Sequence, residues 1–152
     1  MADLQEYSQL DPLARAELFK KIKKDNGWSY NKIGEEINKS SSYIANSVRL
    51  LDLPIAIKDG LLGKLISEGH ARALASLDDP RECVEVYKEV LKNHASVRET
   101  EQMVRDQKKK ILKKQKDQAD KAKQALEKVF KQKFEKVKLT KTKDRIKINL
   151  YR

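Results

Sequence analysis

Between Lys39 and Arg49 stand three consecutive serines, Ser40, Ser41 and Ser42, followed by Tyr43, Asn46, Ser47 and Arg49, with no carboxylate among them. Hydroxyls, an amide, a phenol and two cations donate to and accept from a polar, anionic partner. An ordinary solvated helix face would instead be filled with Glu and Lys. Ile44, Ala45, Val48 and Leu51 recur at i, i+1, i+4 and i+7, which predicts one buried helical face and leaves Ser42, Tyr43, Asn46 and Arg49 outward. Ser40 sits at the start of that helix, where free backbone amides and the positive helix end can hold a phosphate. The same position is an N-cap whatever else it does.

The elements that position these groups follow from the punctuation around them. Asp11-Pro12 reads as a cap with proline at the first helical position, and Leu13, Leu18, Phe19 and Ile22 form a stripe that stops at Asn26-Gly27. Ser29 caps a second helix of about nine residues, with Ile33 and Ile37 one turn apart. Asn38-Lys39 makes a tight turn into a third helix of about eleven residues, which ends before Pro54. Two short helices joined by a tight turn are the helix-turn-helix arrangement, whose second helix enters the DNA major groove by its N-terminal end. Further helices are expected over 54–62, 68–77 and 80–93, and Ser96 with Glu99 forms a capping box for a last one.

Charge divides the chain. Over its 152 residues the net charge is +11, with 38% charged and 39% apolar residues. From Lys108 to Lys147 sixteen lysines and Arg145 face only Asp117, Asp120, Glu127, Glu135 and Asp144, whereas residues 1–107 hold 16 basic and 18 acidic side chains. A balance that basic points to a polyanion, which the second half meets through bulk charge and the first half only through placed groups. The run from Arg105 to Lys121, with only Ile111, Leu112 and Ala119 apolar, is expected to be a solvated helical linker. Apolar spacing returns at Ala122, Leu126, Val129, Phe130 and Phe134. "VKLTKTKDRIKINLY" then alternates as a β-hairpin turning near Lys143-Asp144, with Lys138, Lys141, Lys143, Arg145 and Lys147 as non-specific DNA-binding candidates. Such a hairpin needs the preceding helix and a second copy of the chain to cover its apolar face.

Other chemistries find little support. One cysteine, Cys83, excludes an internal disulfide and reads as a small helix residue. Two histidines far apart give no metal spacing, and no phosphate-cradling loop or nucleophile–base pair is visible, so neither an enzyme nor a cofactor is expected. There is no membrane-spanning run and no signal peptide, which points to a cytoplasmic, nucleoid-associated protein.

The run "WSYNKIGEEINKSSSYIANSVRLLDLP" (Trp28 to Pro54) resembles without gaps the helix-turn-helix of ParB chromosome and plasmid partition proteins. "LISEGHARALASLDDP" (Leu65 to Pro80) and "SVRETEQMVRD" (Ser96 to Asp106) resemble two further ParB segments in the same order. The resemblance implies sequence-specific binding of double-stranded DNA at a palindromic, centromere-like site. Its contacts by position would be Lys39, Ser40, Ser41, Ser42, Asn46 and Ser47, with Gly69, His70 and Arg72 as a second contact to the half-site. It further implies a homodimer and a ParA-type ATPase partner, whose usual docking region this chain is expected to lack. Ser41 stands where many members carry arginine, removing a bidentate guanine contact. Asp3 and Glu6 stand where Asn and Arg are usual in the motif that closes the family's nucleotide-binding domain, so no triphosphate pocket is expected. The chain as given also ends ahead of the final helix of the family's dimer domain.

The expected organisation is mainly α. Residues 1–10 are a remnant of a preceding domain, 11–106 a multi-helical helix-turn-helix DNA-binding domain, 107–121 a long basic linker helix, and 122–152 a partial C-terminal dimerisation element of small helix plus hairpin. Two alternatives remain open at this stage: a ParB-related transcriptional repressor, and a non-specific nucleoid-structuring protein that binds through its tail.

Overall fold

Asp11 begins the first helix by local chemistry: its Oδ1 accepts from the amides of Leu13 and Ala14 at 2.9 and 3.0 Å. Pro12 follows at the first helical position, where a missing N–H costs nothing. A computed structural model describes residues 7–131, 136–141 and 146–151. Helix α1 (Pro12–Asn26) stops at Gly27, whose φ of 67° suits a residue without Cβ. Helix α2 (Tyr30–Glu36) is capped by Ser29, whose Oγ accepts from Lys32 N. Asn38 turns the chain with φ of 54°, and α3 (Ser41–Arg49) begins after Ser40. Both helices are shorter than expected: α2 ends where Ile37 N and Lys39 N turn back onto the Gly34 carbonyl, and α3 ends where the chain after Arg49 tightens into a 3-10 turn over Leu50–Asp52 before Pro54.

Helices α4 (Ile55–Leu62), α5 (Glu68–Leu74) and α6 (Pro80–Asn93) follow. The expected helix over 68–77 ends three residues early. There Leu77 N bonds to the Leu74 carbonyl and Ser76 Oγ donates to the Ala73 carbonyl, drawing the chain into a turn that still buries Leu77. His94, at φ 48°, caps α6. The capping box that opens α7 (Val97–Lys131) is complete: Ser96 N donates to Glu99 Oε2 at 2.7 Å and Glu99 N to Ser96 Oγ at 3.3 Å.

The chain divides into two compact units, residues 1–107 and 108–152. In the first, two apolar clusters hold the helices. One joins α1, α2 and α3 through Phe19, Ile33 and Ile44, all fully buried, with Tyr7, Ile22, Trp28, Ile37, Tyr43 and Val48 packed around them. The other runs from Leu50 through Ile57, Leu61, Leu74, Val86 and Val90 to Val104. Cys83 lies in this second cluster, its thiol pushed up to about 11 by burial and donating to the Leu74 carbonyl. In the second unit, α7 leaves Leu112 and Val129 largely exposed. Strands β1 (Lys136–Lys141) and β2 (Ile146–Tyr151) pair antiparallel, with Val137 opposite Leu150, Leu139 opposite Ile148 and Lys141 opposite Ile146. Lys138 and Lys147 occupy the alternate register positions, opposite Asn149 and Thr140. Asp3, Glu6, the expected turn at Lys143-Asp144, and Arg145 lie outside the described residues. Among the described residues no helix is long and apolar enough to cross a membrane.

Candidate nucleic-acid interface

The turn into α3 is built around a glycine that sequence reasoning passed over. The Gly34 carbonyl accepts from Lys39 N at 2.8 Å. A Cβ on Gly34 would collide with the Lys39 carbonyl oxygen, so no larger residue fits without moving the turn. Its signal was available as a small residue near the end of α2, seven positions ahead of the first residue of α3. Beyond the turn, Ser40 Oγ accepts from Tyr43 N at 3.1 Å, giving α3 its cap. Lys39, Ser40, Ser42 and Arg49 are exposed, and Ser41 and Asn46 half-buried. No acid lies among them, so the outward side of α3 offers donors, acceptors and cations only.

The buried face of α3 is turned from the expected one. Ile44, Ser47 and Leu50 are buried, while Ala45, Val48 and Leu51 are only half-buried. Ser47, assigned to DNA from the sequence, is 1% exposed and donates its hydroxyl to the Tyr43 carbonyl at 2.9 Å. With its polar atom satisfied one turn back, it packs as a small core residue and cannot meet an external partner. Tyr43 is corrected in the same sense. Its ring joins the α1–α3 cluster, edge-on to Phe19 with centroids 6.3 Å apart, so it is a packing residue more than an outward phenol. The Arg15 guanidinium carbon and Lys39 Nζ each stand 5.9 Å from that ring's centroid. Burial is the main reason the phenol titrates above its ordinary range.

On α5 the three expected residues separate by role. Arg72 is exposed. His70 is not free to reach a ligand through its ring, because both nitrogens are engaged. Its Nε2 lies 2.9 Å from the Ala95 carbonyl, and its Nδ1 lies 3.1 Å from Ser67 N and 2.7 Å from Ser67 Oγ. A carbonyl only accepts, so Nε2 carries the hydrogen and Nδ1 accepts from Ser67. His70 thereby caps α5 and ties it to the segment leading into α7. Gly69 serves packing: a Cβ there would meet the Val97 methyls at 3.0 and 3.1 Å.

One part-buried charge pair escaped the sequence altogether. Arg15, 9% exposed, donates from Nη2 to Glu68 Oε2 at 2.5 Å, across 53 residues of sequence. No local periodicity marks such a pair. Among the described residues no group of three or more His, Cys, Asp or Glu side chains is placed to hold a metal.

A surface helix entered from a tight turn through a serine cap, its back packed on the helix before it, defines a helix-turn-helix protein. A ParB HTH domain matches residues 8–109, more than half of the chain. The chain belongs to the ParB family. It is similar in structure to the C-terminally truncated chromosome-partitioning protein ParB of Caulobacter crescentus complexed to the centromeric parS site. The TM-score is 0.63 and the identity 34%, over 68% of this chain and 54% of that one. A ParB DNA-binding domain, also complexed to parS, matches with TM-score 0.62 and 33% identity over 67% of this chain and 84% of its own. In sequence it is similar to a probable ParB of Borreliella burgdorferi, 36% identical over 109 residues, 72% of this chain and 42% of that protein. It is also 32% identical over 98 residues to a nucleoid occlusion protein of Listeria monocytogenes, covering 64% of this chain and 34% of that protein.

Proposed function

We propose that this chain binds a palindromic, centromere-like DNA site as part of replicon partition. α3 reads the major groove through Ser42, Asn46 and Arg49, Lys39, Ser40 and Ser41 hold the adjoining phosphates, and Arg72 of α5 contacts the same half-site. The observation that carries this reading is the acid-free outward side of α3, on a framework that superposes on parS-bound relatives. Backbone contacts would position the domain and the Asn46 amide and Arg49 guanidinium would read base edges. The second unit would add sequence-independent affinity through Lys138, Lys141, Lys143, Arg145 and Lys147, and its helix and strands would pair two copies so that two half-sites are met together. A ParA-type ATPase is the partner this role implies. Because the chain spans well under half of the curated relatives cited above, partition is proposed on the domain, and the same domain serves a second reading, nucleoid occlusion, in the Listeria relatives.

Selection of bound duplexes from a random pool, followed by a genome-wide map of bound sites, tests this. A single enriched palindrome with a few sharp genomic peaks supports partition. Peaks scattered round the chromosome support occlusion, and peaks at promoters repression. No enrichment at all would overturn sequence-specific binding and leave a packaging role.

A further inference from the structure

We infer that Arg15 is a positioning residue for DNA recognition, setting the rotation of α5 against α3; this rests on the reading that Arg72 and the α3 face meet one half-site. Ser40 caps α3 by accepting from Tyr43 N, so Tyr43 is fixed at the N-terminal end of α3. Its ring lies 6.3 Å from that of Phe19 and 5.9 Å from the Arg15 guanidinium carbon. Arg15, projecting from α1, reaches the other way to Glu68, the first residue of α5. Contact therefore runs from the tip of α3 through one guanidinium to the start of α5.

α5 has only seven residues, two of them buried, Ala71 and Leu74. So short a helix has little apolar surface of its own. Besides that, its His70 ring is tied to Ser67 and to the Ala95 carbonyl, and its Gly69 packs on Val97; the tie through Glu68 is the one on the side of the helix that carries Arg72. Glu68 and Arg72 are four residues apart and so lie one turn apart on the same side of α5. A tie at Glu68 consequently sets where the Arg72 side chain departs. Stability alone explains the pair poorly. The pair is only part-buried, with 31% of the Glu68 side chain exposed, so solvent screens its attraction, and the buried Arg15 Nε has no hydrogen-bond partner among the described residues. What the guanidinium does supply is direction, since its planar fork bonds a carboxylate and lies against a ring at defined angles.

The test uses the full chain, the duplex enriched by selection from a random pool and a shuffled duplex of equal length. Arg15→Gln should lose about tenfold on the enriched duplex, the worth of one good base contact, and nothing on the shuffled one. Amides of Ala71 to Leu74 should exchange hydrogen about tenfold faster, with those of α1 and α3 unchanged. Arg15→Lys should recover only part of the loss. The exchanged pair, Arg15→Glu with Glu68→Arg, should recover most of it, which a general loss of fold would not allow. Equal losses on both duplexes, or α5 exchange untouched by Arg15→Gln, would overturn the inference. If the unmodified chain fails to distinguish the two duplexes, the DNA reading falls by itself, and the exchange measurement still decides whether Arg15 holds α5.

Discussion

The two units of this chain present cations in contrasting ways. In residues 1–107, which hold more acids than bases, exposed Arg49 and Arg72 sit on helices whose backs are anchored in apolar clusters, Lys39 sits on the tight turn ahead of α3, and Arg15 is buried between elements. In residues 108–152 lysines dominate by composition, and α7 leaves Leu112 and Val129 in solvent. Charge that depends on a fold can discriminate. Charge that depends only on composition can attract, and it attracts any polyanion alike.

Breaking the fold of the first unit should separate these two properties most sharply. Ile44, fully buried between α1, α2 and α3, is the residue to remove: Ile44→Ala should cost about 2–5 kcal/mol of stability, visible as a fall in Tm. Near the new midpoint the chain should lose preference for its enriched duplex while still retarding random DNA in gels. Retained preference would mean that discrimination does not need this framework.

The converse experiment removes charge and keeps the fold. Replacing Lys138, Lys141, Lys143, Arg145 and Lys147 together with Gln should flatten the dependence of log affinity on log salt, by about 0.9 for each phosphate that is no longer neutralised. The ratio of enriched to shuffled duplex should stay constant. A changed ratio would move part of the reading into the second unit.

Within the first unit, Asn46→Ala and Arg72→Ala should each weaken binding to the enriched duplex by about 1–3 kcal/mol without moving Tm, since neither side chain is in the core. Titrations followed by fluorescence anisotropy, paired with melting curves, would show it. Normal binding by Asn46→Ala would shift the interface off this face of α3. Smallest of all, Ser40→Ala should cost about 0.5–2 kcal/mol of stability through removal of the cap. A larger loss in affinity than in stability would mark the hydroxyl as a phosphate ligand as well.

Legibility from the sequence followed the range of each interaction. Asp11-Pro12, Asn26-Gly27, Ser29, Ser40, Pro80 and the Ser96/Glu99 box announced their helix ends because a cap acts within three or four residues. The rotation of α3 did not announce itself. A serine whose hydroxyl returns to the preceding turn packs like alanine, and a phenol beside an arginine packs like phenylalanine, so residue type misled at Ser47 and Tyr43. His70 was legible as polar but not as occupied, since its second partner is the Ala95 carbonyl 25 residues away. Arg15 and Glu68, 53 residues apart, could be joined only by the fold.

The chain holds a single cysteine, and the fold withdraws it: Cys83 is 2% exposed and burial pushes its thiol up to about 11. Near neutrality the reactive thiolate is therefore strongly disfavoured, and the sulfur lies beneath packed side chains. For the experimenter this makes the native sequence a silent background for covalent labelling. One cysteine introduced on α5 or on α7 would accept a fluorophore or spin label alone, with no need to remove Cys83 and disturb the cluster it fills.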